Sequence, residues 1–285
     1  MHWRASNART IDLSRPCVMA ILNVTPDSFA DGGRLVTPGQ AADAAEAAVK
    51  AGAGALDLGG ESTRPGSKAV PAEAQMQRVI PALVAIRSRL PRVPISIDTT
   101  SAEVAEAALL AGADAINDTS AGLADPAMIP LAARTGAGLI LMHRPRAAEA
   151  DSYSDAYAVP PLYGDVVAEV GAFLRGRAEA ALGAGVRRES IVLDPGLGFG
   201  KSVEQNLALI RGTPSLAALG YPVLSGLSRK SFVGRVSLGR DSQPAERLPG
   251  TLALSVVHLG CGAGIFRVHD VPEHVQALDA ARAAG

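Results

Sequence analysis

The stretch that decides the fold reads Ile191-Val192-Leu193-Asp194-Pro195-Gly196-Leu197-Gly198-Phe199-Gly200-Lys201. Three branched apolar residues run into a carboxylate, a proline and a glycine, the pattern of a short buried strand that ends in a tight turn. A carboxylate at such an end sits on rigid scaffold, and glycines in the turn let backbone approach a ligand closely. A plain β-to-α turn with Asp194 as helix cap accounts for the same residues equally well. The rest of the chain separates the two, because the same grammar returns at nearly every strand.

Working outward, short apolar runs lie at 18–22 (ending at Asn23), 55–60, 95–100, 113–118, 138–143, 221–226 and 264–270. Between them, apolar residues at helical spacing predict helices over 38–51, 71–90 and 163–185, another ending at Ala111-Gly112, and a closing one over 272–284. Ala-Gly-Ala or Gly-Ala-Gly precedes several strands and marks one repeated helix-to-strand turn. The one long irregular stretch runs over 144–161. Eight nearly continuously apolar strands alternating with helices predict an α/β fold, a single closed (β/α)8 TIM barrel. An open doubly wound sheet is the alternative, but no Gly-x-Gly-x-x-Gly turn follows the first strand. No low-complexity linker divides the chain, so 1–285 reads as one domain with 1–15 as an N-terminal extension.

Composition limits the function classes. With 48% hydrophobic residues and a formal net charge of −1, nothing points electrostatically to nucleic acid or a membrane surface. No apolar run is long enough to cross a bilayer, and 1–15 is polar and basic without the hydrophobic segment of a secretory signal. Cys17 and Cys261 both stand in apolar settings, which suits reduced core residues in a reducing compartment. The expectation is a cytoplasmic protein.

In a closed parallel barrel the C-terminal strand ends converge on one mouth, where active sites are found. Here those ends carry Asn23, Glu61, Asp98, Asn117, His143, Asp194, Lys230, Arg267 and His269. Each alone could be a cap or a solvated rim residue, but together they predict an enzyme site. Asp98, Asn117, Asp194 and Lys230 offer two anionic acceptors, an amide and a cation, which suits a flat heterocycle with N–H donors on one edge. For Asp98 with Lys230 the bland reading is a buried structural ion pair. Arg267 and His269 sit two apart, so a bend at that strand end could turn both toward an anion. Asn23 and the Gly-rich loop after it could complete a phosphate or metal–phosphate site. A transition-metal site at His143 and His269 lacks carboxylate partners at a recognised spacing. Ser228-Arg229-Lys230-Ser231 opens a helix whose N-terminal N–H groups favour the carboxylate of a second substrate, with Phe29, Pro65 and Phe199 as apolar wall. Its bland reading is an N-cap by Ser228 with Lys230 on a solvated face.

Eight motifs then resemble one family in the right order and over nearly the whole chain. They are Ile21-Leu22-Asn23-Val24-Thr25-Pro26-Asp27-Ser28-Phe29, Gly59-Gly60-Glu61-Ser62-Thr63-Arg64-Pro65-Gly66, Ile97-Asp98-Thr99, Ile116-Asn117-Asp118, Leu141-Met142-His143, the Asp194 turn, Ser228-Arg229-Lys230-Ser231 and Arg267-Val268-His269-Asp270. The resemblance is to the dihydropteroate synthases. It implies transfer of the 7,8-dihydropterin-6-ylmethyl group from its diphosphate to 4-aminobenzoate. By this resemblance Asp98, Asn117, Met142, Asp194 and Lys230 bind the pterin. Asn23, Arg267 and His269 take the diphosphate, with Asn23 as ligand of a Mg2+ cofactor. Phe29, Thr63, Arg64 and Pro65 lie on two loops that close over 4-aminobenzoate, and Phe199, the Lys230 stem and Ser231 line its pocket. Asp98, Lys230, Arg267 and His269 are the expected catalytic set. Sulfonamides, which mimic 4-aminobenzoate, are expected in the same pocket, and the resemblance further implies a homodimer.

The chain departs from the family pattern at Arg144 and Pro145 and in the Ala/Glu/Asp/Tyr-rich residues that follow, which read as a variable lid-like insert. Two rivals share parts of the pattern. A methyltetrahydrofolate-dependent corrinoid methyltransferase would have no diphosphate for the Asn23 loop and Arg267-Val268-His269 to bind. A non-catalytic pterin-binding paralogue would be expected to have lost loop or diphosphate residues.

Overall fold

The computed structural model describes residues 1–25, 37–62, 64–157 and 159–284. Phe29 and Thr63, expected on the closing loops, lie outside the described residues. An antiparallel hairpin comes first, β1 (His2–Arg4) with β2 (Thr10–Asp12). Eight parallel strands follow: β3 (Cys17–Asn23), β4 (Ala55–Gly59), β5 (Ile95–Asp98), β6 (Ala115–Asp118), β7 (Gly138–Met142), β8 (Ile191–Asp194), β9 (Leu224–Ser225) and β10 (Ile265–Val268). They are ordered β8-β7-β6-β5-β4-β3-β10-β9, and a parallel bridge between Leu193 and Val223 joins β8 back to β9. The sheet therefore closes into the predicted barrel.

Strand β9 is shorter than the expected 221–226. Pro222 has no N–H for the ladder, and only its carbonyl serves, accepting from the Leu193 N–H at 2.9 Å. The outer layer comprises α1 (Pro38–Lys50), α2 (Ala72–Arg89), α3 (Ala102–Leu110), α4 (Met128–Thr135), α5 (Val166–Gly183), α6 (Val203–Arg211), α7 (Thr213–Ala217), α8 (Ser231–Leu238), α9 (Leu248–Gly260) and α10 (Val271–Ala284). Thr37 with Gln40 and Ser202 with Gln205 form capping boxes that start α1 and α6. Apolar helix faces and the outward faces of the strands form the larger core, including Leu56, Leu58, Ile97, Ile116, Leu141 and Leu193. No helix among the described residues is long and apolar enough to cross a membrane.

Residues 1–15, expected as a polar N-terminal extension, instead carry the β1–β2 hairpin. Its alternation turns Trp3 and Ile11 to one face. That face plugs the bottom of the barrel against Cys17, Met19, Ala55, Ala115, Ile140, Val192, Leu224 and Ile265. The indole N–H of Trp3 donates to the Ser190 carbonyl at 3.0 Å. Sealing one end with an indole contributes about 4 kcal/mol of apolar burial. It also leaves the opposite end as the open mouth. Cys17 lies in the plug, where burial pushes its thiol up to about 12, and both cysteines are free.

Candidate active site

The C-terminal strand ends open into a cavity of about 870 Å³. Of the residues singled out in the sequence, Asn23, Glu61, Arg64, Pro65, Asp98, Ser228, Lys230, Ser231, Arg267 and His269 line it, while Asn117, Met142, His143, Asp194 and Phe199 are buried behind that wall. Strand register explains the convergence. Asn23 stands opposite Gly59, Gly59 opposite Asp98, Asp98 opposite Asn117, and Met142 opposite Asp194. Neighbouring strands thus present these side chains on adjoining positions at the same end of the barrel.

The two carboxylates are buried and differ in their partners. Asp98 Oδ2 accepts from Arg267 Nη2 at 2.6 Å, while Asp98 Oδ1 is buried with no hydrogen-bond partner. Burial raises the Asp98 pKa, Arg267 opposes it, and the nearby Asp57 and Glu61 carboxylates add to it. Asp194 Oδ1 accepts from the Gly196 N–H at 2.7 Å, and burial pushes this carboxyl up to about 6 against that hydrogen bond and Lys230. Lys230 is pulled down to about 7 by burial and then by Arg267, with Asp194 pulling the other way. Its Nζ stands 3.5 Å from the Phe199 ring centroid, a cation–π contact.

Arg267 and His269 both line the cavity, as their spacing suggests, but each is held by different partners. The Arg267 guanidinium is bound downward, with Nε donating to Asp57 Oδ2 at 2.5 Å as well as Nη2 to Asp98. A buried guanidinium needs counter-charge, and these two carboxylates supply it. Burial pulls the Arg267 pKa down, but Asp57 and Asp98 more than offset it and hold it above its ordinary value. His269 Nδ1 instead lies 3.0 Å from the Ser228 hydroxyl, which also accepts from the His269 backbone N–H at 3.3 Å. Burial, then Arg229 and Arg267, push His269 down to about 3, so its ring is neutral at physiological pH.

The Gly-rich turn after β8 carries three left-handed glycines, Gly196 (φ 68°), Gly198 (φ 81°) and Gly200 (φ 58°). A Cβ at Gly196 would meet the His143 carbonyl oxygen at 1.9 Å, and one at Gly198 would meet Lys230 Cδ at 2.9 Å. The backbone therefore packs directly against the Lys230 stem, which only glycine permits. Asp194 does not cap a helix, since Ser202 caps α6; its Oδ1 braces the turn at Gly196, and Gly198 of that turn lines the cavity. The fully buried Lys201 binds the turn from within, its Nζ donating to the carbonyls of Gly196 (2.9 Å), Phe199 (2.8 Å) and His143 (3.3 Å). Burial pulls Lys201 down to about 7, and three carbonyl acceptors match the three donors of its ammonium form.

The turn before α8 is strained. Arg229 is one of two non-glycine residues with positive φ (59°) among the described residues. Its guanidinium forks onto Asp270, Nε to Oδ2 at 2.9 Å and Nη2 to Oδ1 at 2.5 Å, and its carbonyl accepts from Arg247 Nη1 at 2.8 Å. These contacts hold the bend that delivers Lys230 to the mouth. Helix α8 begins at Ser231 with Lys230 as N-cap, and no side chain caps it. Ser228 is therefore not the cap, and Lys230 is not on a solvated face.

The 144–161 insert is docked across two of the mouth's loops. The Ala148 carbonyl accepts from Gly66 N–H at 2.8 Å, and Glu149 Oε1 accepts from Ala69 N–H at 2.9 Å, both on the segment after β4. On the other side Asp151 Oδ2 accepts from Gly200 N–H at 3.1 Å and the Ser154 hydroxyl from Asn206 Nδ2 at 3.1 Å. Arg144 stands 4.9 Å from the Phe199 ring centroid.

Sequence reasoning missed Asp57, Lys201 and the anchoring residues of this insert. Asp57 was legible only as a carboxylate in the middle of an apolar strand, where charge has no structural reason to be. Among the described residues no three His, Cys, Asp or Glu side chains are grouped to hold a metal ion. Asn23 lines the cavity and offers it one amide oxygen, close enough to Gly59 that a Cβ there would lie 3.4 Å from Oδ1. One such oxygen suits a Mg2+ ion that takes its other ligands from water and phosphate oxygens.

The protein-family model for pterin binding enzymes matches residues 19–269. A dihydropteroate synthase from Synechocystis is 44% identical over 263 residues, covering 92% of this chain and 88% of that protein. The Xanthomonas albilineans dihydropteroate synthase solved with 4-aminobenzoic acid superposes with a TM-score of 0.88 at 41% identity, covering 99% of this chain and 97% of that one. The same enzyme solved in complex with 7,8-dihydropteroate gives a TM-score of 0.85 at 38% identity, covering 100% and 98%.

Proposed function

The chain belongs to the pterin-binding enzyme family, and from that premise we propose that it is a transferase that makes 7,8-dihydropteroate. It takes the dihydropterin-6-ylmethyl group from the diphosphate ester, delivers it to 4-aminobenzoate and releases diphosphate. The observation that carries the reading is the acceptor edge at the mouth. Asp98 Oδ1 is buried without a partner, and Asp194 lies two strand ends beyond Asn117, above a family-matched barrel. A buried oxygen left bare costs stability unless a ligand N–H completes it.

In this reading Asp98, Asn117 and Asp194 take the N–H donors of the pterin, Lys230 supplies the cation on its opposite edge, and Met142 packs against the ring. The carbon–oxygen bond at the methylene breaks, and the electron pair leaves with the diphosphate. The electron-rich dihydropterin delocalises the cation that develops, with the Asp98 and Asp194 carboxylates beside it. Asn23, Arg267 and His269 form the diphosphate end. Neutral His269 serves there as a hydrogen-bonding group, and Arg267 supplies the charge. Asn23, together with the diphosphate, would hold Mg2+, whose charge would offset the negative charge on the leaving group.

The arylamine nitrogen of 4-aminobenzoate then forms the new carbon–nitrogen bond and sheds a proton. No strong general base is needed, because the attacking amine is neutral. Phe199 and the Lys230 stem flank the aminobenzoate ring, and Ser231 with the uncapped N-terminus of α8 takes its carboxylate. Phe29, Thr63, Arg64 and Pro65 belong to loops that exclude water from the cation. Sulfonamides, with the same anionic end, bind in this pocket, and the active form is a homodimer.

The test is diphosphate release from the purified protein given the pterin diphosphate and Mg2+, with and without 4-aminobenzoate. Release coupled to dihydropteroate formation only with the arylamine is expected. Tight pterin binding with no product would overturn the assignment in favour of a pterin-binding protein without turnover. Light scattering on the same sample checks the dimer.

A further inference from the structure

A closed barrel normally fills its interior with layers of branched apolar side chains. Here the layer beneath the mouth carries Asp57, Ser96, Asn117 and Arg267. Asp57 sits at the centre of β4, fully buried and away from the cavity wall. Its two oxygens receive three donors: Ser96 Oγ to Oδ1 at 2.5 Å, Asn117 Nδ2 to Oδ2 at 3.1 Å and Arg267 Nε to Oδ2 at 2.5 Å. Apolar packing of the same volume would stabilise a barrel at least as well, so the charge here points to a task.

We propose that Asp57 is a positioning residue for the pterin subsite, anchoring Asn117 and Arg267 from below and, through Arg267, holding Asp98 so that its buried Oδ1 is left unpaired for the substrate. Two geometric consequences support it. Asp57 is an acceptor only, so the Asn117 amide must face it with Nδ2, and the other end of the amide, the carbonyl, is left for the ligand. Arg267 spends Nε on Asp57 and Nη2 on Asp98 Oδ2, which leaves Oδ1 as the one oxygen of Asp98 without a partner. Without Asp57 the guanidinium would have one anchor and would swivel, and Asp98 would lose its fixed orientation. Asp57 itself touches no substrate.

This inference rests on the transferase reading for the identity of the ligand, but its primary readout is binding. The probe is 6-hydroxymethylpterin, which lacks the diphosphate and is fluorescent. Asp57→Asn keeps the shape and can still accept from Arg267 and Asn117 and donate to the Ser96 hydroxyl. It swaps the charge-assisted bond to the guanidinium for a weaker one to a neutral oxygen, so the variant is expected to fold, with a lowered Tm, and to hold Arg267 more loosely. The expected result is about a tenfold rise in Kd for the pterin, with KM for 4-aminobenzoate within about twofold of wild type. The charged groups that act on Asp98 include Arg267 from β10, Asp57 from β4, Glu61 after β4, Lys230 at the head of α8 and Arg144 after β7. Removing the like charge of Asp57 lowers the Asp98 pKa, so the acid limb of pterin binding should move to lower pH even as affinity falls. A merely structural weakening would leave that limb in place.

Wild-type affinity with an unmoved acid limb would overturn the proposal, as would a loss shared equally by both substrates. Ser96→Ala, which removes one donor from Asp57 and keeps its charge, should weaken the pterin by about threefold without moving the limb. Wild-type affinity in that variant would also count against it. If wild-type protein binds the pterin but makes no dihydropteroate, the transferase reading fails while the comparison of variants still decides the role of Asp57.

Discussion

The ammonium of Lys230 stands 3.5 Å from the centroid of the Phe199 ring, and the two residues come from different loops, the turn before α8 and the Gly-rich turn after β8. That contact joins the pterin end of the proposed site to the aminobenzoate end through one side chain. The charge of Lys230 acts on Asp194 more than that of Lys201 or Arg267, and its stem lies against Gly198, where a Cβ would come within 2.9 Å of Cδ. Lys230→Ala is expected to lower kcat/KM by about 100-fold, the scale of losing a charged donor in a closed site. Lys230→Met, which restores the stem but not the charge, should recover affinity for 4-aminobenzoate and not for the pterin. Steady-state kinetics varying each substrate in turn check both, and wild-type-like kinetics in Lys230→Ala would contradict the assignment.

Arg267 is held by two carboxylates, so its removal acts in two ways. Arg267→Ala should weaken capture of the diphosphate ester about tenfold more than capture of the diphosphate-free alcohol. It should also lower stability by about 3 kcal/mol, because Asp57 and Asp98 are left buried without their cation. Calorimetric titration with both pterins, together with urea unfolding, separates the effects. Equal loss for the two pterins would refute a role at the diphosphate.

Glu149 reaches from the 144–161 insert to the backbone of Ala69, on the segment that carries Arg64 and Pro65. The bond is exposed and worth about 1 kcal/mol, so its loss should not touch the fold. Glu149→Ala is therefore expected to raise KM for 4-aminobenzoate by about threefold, with the pterin Kd unchanged. Unchanged KM would show that the insert does not hold this segment.

The barrel and most of the mouth were legible because the signals are local. Asp98 and Asp194 follow runs of branched apolar residues, and a carboxylate at a strand end reads as such without knowledge of its neighbours. Asp57 was not legible in the same way. It lies within Ala55-Leu56-Asp57-Leu58-Gly59, and only the closure of the barrel shows that Arg267, 210 residues away in sequence, reaches it. Trp3 was overlooked for a related reason, since the surrounding residues are polar and its partners come from strands across the whole barrel floor. The spacing of Arg267 and His269 was enough to put both on one cavity, but not to show what holds them: Asp57 and Asp98 bind the guanidinium, and the Ser228 hydroxyl meets the imidazole.

His258 bridges α9 to the barrel through two hydroxyls. Thr213 Oγ1 donates to the Leu209 carbonyl at 2.9 Å, so it accepts from His258 Nε2–H at 2.9 Å, and Nδ1 is left to accept from the Ser225 hydroxyl at 2.9 Å. This arrangement needs the neutral ring, and burial pushes His258 down to about 4 from an ordinary value of 6.5. The sign follows directly. Below pH 6.5 the unfolded chain takes up a proton that the folded chain refuses until about pH 4, so stability falls with falling pH across that window. The cost is about 1.4 kcal/mol per pH unit from this residue once the unfolded ring is fully charged. His143 and His269, each pushed down to about 3 chiefly by burial, act in the same direction, while the raised Asp98 and Asp194 act in the opposite one. Comparison with a single variant isolates the one residue. In His258→Gln the amide can still offer a donor to Thr213 and an acceptor to Ser225 but does not titrate. Urea unfolding between pH 7.5 and pH 4.5 should therefore show a shallower fall in stability than wild type, by about one proton's slope. Parallel curves would mean that His258 is protonated in the folded protein and that the hydroxyl bridge does not require the neutral ring.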